Sequence, residues 1–136
     1  MPTHLLDTSV YCQPLRPRPL PAVVRRWEHL GESNLATSVL VEAEVQYGVH
    51  LKGSRKLAEA YRTLLRGRLP ALPVDLEVAD AYAGLKAQLR RRGRPVPDVD
   101  LLIAATAQVH GLVVATLNPR HFMGLEGVSV EDWSSV

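Results

Sequence analysis

The chain has a single cysteine, Cys12, in 136 residues. One thiol excludes an intrachain disulfide and a cysteine-built zinc site, and it suits a reducing compartment. No apolar run approaches the ~20 residues that cross a bilayer. The opening residues carry no basic segment followed by a long apolar one, so a secretory signal is not expected. A cytoplasmic protein is the resulting expectation. Strong net charge is also missing, at only +2, so the molecule as a whole is not a polycation. Lysine, asparagine, isoleucine and phenylalanine are scarce beside arginine, alanine, leucine, valine and proline, a bias that also fits GC-rich codon usage.

What is present fits one globular unit. Hydrophobic residues make up 46%, and the length allows one packed core spanning 1–136 rather than two. Arginines cluster at Arg16/Arg18, Arg25/Arg26, Arg66/Arg68 and Arg90–Arg94. Arginine is the better phosphate donor, although each cluster alone reads first as a solvated face.

Short apolar runs alternate with helical periodicity. Strands are expected at 4–6, 34–37, 112–115 and 128–130, with a proline-limited edge strand in 69–74. Helices are expected at 22–30, from a Thr37 or Ser38 cap to about 49, at 55–66, from an Asp75 cap into the basic stretch, and at 98–110. Residues 14–21 carry too many prolines for helix or central strand, and residues 118–122 read as a turn or short helix. Alternating strands and helices imply an α/β sandwich around one mainly parallel sheet of four to five short strands.

The chemistry lies in acids set beside core elements. Asp7 follows the first strand, Glu42 and Glu44 interrupt an apolar helix, and Asp98 and Asp100 open the most apolar helix. Asn118 lies just beyond a later strand. Ligands of parallel sheets bind beyond the strands' carboxyl ends. Carboxylates are seldom buried unless paired or bound to metal. Two of them ~5 Å apart at an effective dielectric of ~20 repel by about 3 kcal/mol. A hard divalent cation relieves that, and carboxylates, an amide and waters suit Mg²⁺ or Mn²⁺. Helical geometry sets Glu42 about 200° from Glu44, and Asp98 likewise from Asp100, so one of each pair faces any common site. Spacing does not say which. The bland readings are a turn cap for Asp7, an N-cap for Asp98 and a solvent-facing Glu42.

Four motifs, in order, resemble those of PIN-domain proteins. Leu5-Leu6-Asp7-Thr8-Ser9 is similar to the family's opening motif. Residues 38–49 resemble the glutamate-bearing helix of VapC toxins, residues 93–107 their DxxIAAxA helix, and residues 114–122 their closing T-x-N/D-x-x-x-F element. The loop at 14–19 resembles the FitB-like branch. The resemblance implies a PIN-like three-layer sandwich and RNA phosphodiester hydrolysis with Mg²⁺ or Mn²⁺. It assigns the metal to Asp7, Glu44 and Asp100, and counts Asn118 among the catalytic residues. Glu42 and Asp98 become secondary, Asp98 reaching the metal through water. Thr116 and Ser9 take supporting roles, with Thr116 and Asn118 orienting water or phosphate. Arg16, Arg18, Arg94 and Arg120 are expected to hold the RNA backbone, while His110 and His121 are read as helix-end and packing residues. The resemblance further implies a homodimer and a VapB-type antitoxin partner. Asn118 stands where many relatives have aspartate. That departure motivates the competing expectation of a catalytically weak PIN-like module that binds RNA or protein. A phosphatase on a flavodoxin-like sheet is the more distant alternative and would want a lysine near Asp7.

Overall fold

A computed structural model describes residues 1–135. Five strands form one sheet: β1 (His4–Leu6), β2 (Leu35–Ser38), β3 (Ala71–Leu72), β4 (Val113–Thr116) and β5 (Ser129–Asp132). Their order is β3-β2-β1-β4-β5 and every pairing is parallel. Six helices connect them: α1 (Thr8–Tyr11), α2 (Pro21–Leu30), α3 (Val39–Lys52), α4 (Arg55–Leu64), α5 (Leu76–Arg91) and α6 (Asp98–His110). This is the α/β sandwich that the alternation implies, with the sheet fully rather than mainly parallel.

The order of strands fixes where a ligand belongs. From β1 the chain winds outward through β2 to β3, then returns across the sheet to β4 and β5. Connections therefore leave β1 and β4 in opposite directions, which opens a crevice at their carboxyl ends. Asp7 and Leu117–Asn118 occupy those ends.

Burial follows the apolar pattern. Leu5, Leu6, Leu35, Val114 and Ala115 of the three inner strands pack with Ile103, Ala104, Ala105 and Ala107 of α6. No helix among the described residues is long and apolar enough to cross a membrane. Trp133 is fully buried, and its backbone N–H donates to Thr116 O at 2.9 Å, tying the chain beyond β5 to the end of β4.

Helix ends differ from expectation in instructive places. Ser38 caps α3 by accepting from Leu40 N, as expected. The helix then passes through Gly48 and stops four residues later, where Gly53 takes the left-handed conformation at φ 64°. An interior glycine costs a helix only ~1 kcal/mol, whereas the left-handed stop is where glycine is favoured. Asp75 caps α5 through Val78 N. Asp98 does not cap α6: Pro97 holds that position without a side-chain bond. The Asp98 carboxylate instead turns to α5, meeting Lys86 Nζ at 2.9 Å and Tyr82 OH at 2.8 Å. In the proline loop, a short 3₁₀ turn at Gln13–Leu15 leads in, and Gln13 Oε1 accepts from Leu20 N at 2.9 Å.

Candidate active site

Asp7 is set at the crevice by its place one residue past β1. Its backbone N–H donates to Ala115 O of β4, and its side chain caps α1. Oδ1 accepts from Val10 N at 3.1 Å and Ser9 Oγ at 2.6 Å. Oδ2 accepts from Thr116 Oγ1 at 2.5 Å. The capping reading is thus correct, but it leaves a carboxylate only 4% exposed with no basic partner within 4 Å among the described residues. Burial pushes its pKa up. Hydrogen bonds from Ser9, Thr116 and Val10 work against that rise, and the negative charge of Asp100 adds to it.

Thr116 and Ser9 bind the two strand ends together. Thr116 Oγ1 accepts from Asn118 N at 2.8 Å while donating to Asp7. Ser9 Oγ likewise accepts from Leu117 N at 3.0 Å while donating to Asp7. Each hydroxyl uses its one proton on the carboxylate and a lone pair on the β4 exit loop. Asn118 itself is exposed.

The other acids arrive from two helices. Glu44 of α3 accepts from Thr8 Oγ1 at 2.5 Å, directly beside Asp7 in the chain. Asp100, in the first turn of α6, has its Oδ2 2.6 Å from His121 Nδ1, the imidazole donating. Its side chain is 22% exposed, and its charge reaches Asp7. Glu42, two residues before Glu44, points elsewhere and is not solvent-facing: the hydroxyls of Tyr11 and Tyr61 both donate to it. Burial, and then Glu42's bond and charge, raise both tyrosines, Tyr61 to about 12. Asp98 is likewise held away, its pKa lowered first by the Lys86 hydrogen bond.

Among the described residues no group of three histidines, cysteines or acids stands ready as a metal cage. The structure gathers Asp7, Ser9, Thr116 and the Asn118 backbone tightly, with Asp100 and Glu44 at the margins. Arg16 is exposed and lines the hollow that holds Thr8 and Glu44, while Arg18 and Arg120 are exposed elsewhere. Arg94 is half-buried and donates to the carbonyls of Met123, at 2.6 Å, and Arg120. It braces the loop after β4.

Residues 4–123 match the PIN domain family. The chain belongs to it. Along nearly its whole length this PIN domain is 34% identical to "Toxin FitB" of Neisseria gonorrhoeae, over 95% of this chain and 97% of that protein. It is 30% identical to a "tRNA(fMet)-specific endonuclease VapC" of Shigella flexneri, over 96% and 97% respectively. A crystal structure of FitAcB from Neisseria gonorrhoeae superposes with a TM-score of 0.90 at 31% identity, covering 98% of this PIN domain and all of that chain.

Two contacts of this PIN domain were invisible to spacing. Thr8 sits inside the opening motif, yet its bond to Glu44 crosses 36 residues. His121 was expected to pack, and instead it is partly exposed and bonded to Asp100 across 21 residues. Its one sequence signal is its place three residues after Asn118, inside the closing motif.

Proposed function

We propose that this PIN domain is an endoribonuclease toxin that hydrolyses RNA with Mg²⁺ or Mn²⁺ and is restrained by a VapB-type antitoxin. The observation that carries this reading is Asp7: a buried carboxylate at the β1/β4 crevice, pressed by the charge of Asp100 and with no basic group within 4 Å among the described residues. Its relatives' names, a toxin and a transfer-RNA endonuclease, agree with it.

The donor set fits a hard divalent cation. Carboxylates, hydroxyls and the Asn118 amide are oxygen donors, and the net negative charge around Asp7 asks for a counter-ion. Asp7, Glu44 and Asp100 would hold it, directly or through water. Such an ion, when bound, polarises a phosphate and lowers the pKa of an attacking water. The protein's part is positioning. Ser9 and Thr116 fix both oxygens of Asp7, Thr8 fixes Glu44, and His121 fixes Asp100. Asn118 orients phosphate or water at the β4 exit. Arg16, Arg18 and Arg120 contribute phosphate contacts, and Arg94 serves by bracing the loop that carries Arg120. The working form is a homodimer in the cytoplasm.

Expression in a bacterial host tests the reading. Wild type arrests growth and Asp7→Asn does not, and purified wild type cleaves RNA with Mn²⁺ but not with EDTA. Equal growth of both strains, with no cleavage in vitro, removes the proposal.

A further inference from the structure

Three arginines on and just after α4 play no part in the site above. Arg55, Arg62 and Arg66 line a hollow of about 370 Å³ between α3 and α4, with His50 and Tyr61 among its walls. Arg62 lies seven positions, two helical turns, beyond Arg55, so the two share a face about 10 Å apart. All three arginines are exposed. None has a carboxylate within 4 Å among the described residues, whereas Arg26, Arg68 and Lys86 each have one. Glu42, behind Tyr61, is already taken by the two tyrosine hydroxyls.

The hollow adjoins the one beside Glu44. Val49 and Ser54 line both it and the neighbouring hollow that contains Thr8 and Glu44. Arg16 and Lys52 line that second hollow. A row of cations therefore leads away from Glu44 over the α3–α4 hairpin. Without a metal ion the acids at the crevice repel a polyanion, so cations outside the crevice carry a nucleic-acid strand's phosphate affinity in that state.

We propose that the α3–α4 hollow is a track for the RNA strand, gripping backbone phosphates some nucleotides away from the bond that is cut. The inference rests on the ribonuclease reading and names where that substrate lies. Guanidinium forks suit phosphate oxygens. The neighbouring hollow holds Glu44, so a single extended polyanion can lie along both.

The test is fluorescence anisotropy of a labelled single-stranded 20-nucleotide RNA, in EDTA to prevent cleavage, between 50 and 200 mM salt. Three phosphate contacts on a single strand contribute about 2 to the slope of log affinity against log salt. The variant Arg55→Ala/Arg62→Ala/Arg66→Ala, its fold checked by circular dichroism, loses that slope and binds at least ~10-fold more weakly at low salt. The matching Arg→Lys triple keeps the slope. An unchanged slope in the alanine variant overturns the track while leaving the ribonuclease reading standing. So does loss of antitoxin binding with RNA binding intact, which makes the surface a protein interface. Wild type that neither binds nor cleaves RNA removes both ideas together.

Discussion

Replacing Thr116 by valine isolates one atom of the site. The change keeps the side chain's shape and deletes the hydroxyl that donates to Asp7 Oδ2 at 2.5 Å and accepts from Asn118 N at 2.8 Å. Thr116 is fully buried, so no water replaces the donor to Asp7. A hydrogen bond to a charged group contributes ~1.5–3 kcal/mol. The Asn118 N–H also loses its acceptor, and on this exposed residue that is the smaller of the two losses. The expected loss is about 2 kcal/mol, or roughly 6–10 °C in Tm for a domain of this size. The pH dependence gives a second handle. Burial holds the Asp7 pKa above its ordinary value, so ionised Asp7 costs the folded state stability as pH rises from the unfolded pKa through the folded one. The Thr116 bond favours the ionised form and limits that cost. Thr116→Val therefore loses most above the folded pKa and least in acid, where Asp7 is protonated in both proteins. Thermal melting in EDTA from pH 3 to 8 measures it. A drop smaller than ~2 °C at pH 8, or a difference independent of pH, refutes the account of Asp7.

Two further outcomes follow from the same geometry. Glu44→Gln abolishes RNA cleavage, whereas Glu42→Gln leaves cleavage within about twofold and costs ~1–2 kcal/mol of stability through its tyrosine partners; parallel urea titrations and cleavage assays separate them. Arg94→Ala releases the carbonyls of Met123 and Arg120, and hydrogen exchange of residues 120–123 rises while that of α6 does not.

Much of the fold was readable because its signals are local. The apolar run before Asp7, the Asp75 cap and the almost wholly apolar helix from Asp98 to His110 each announce themselves within a few residues. What escaped is non-local. Asp98 looks like a cap until Lys86 and Tyr82, on the preceding helix, arrive beside it. Arg94 reads as one more surface cation until the loop after β4 folds over it. The helix from Ser38 reads as ending near 49 because spacing cannot show that Gly53 supplies the stop. The same limit governed the acids. Periodicity left Glu42 and Glu44 as alternatives, and only the tyrosines from α1 and α4 explain why Glu42 faces away.

The bond between Thr116 and Asp7 spans 109 residues. Asp7 therefore meets this partner only after the ribosome has passed residue 116. Trp133, whose backbone N–H holds the Thr116 carbonyl, emerges later still. A site that closes so late in synthesis gives a co-translated inhibitor time to be present, and fragments that stop before residue 116 lack the Thr116 bond to Asp7.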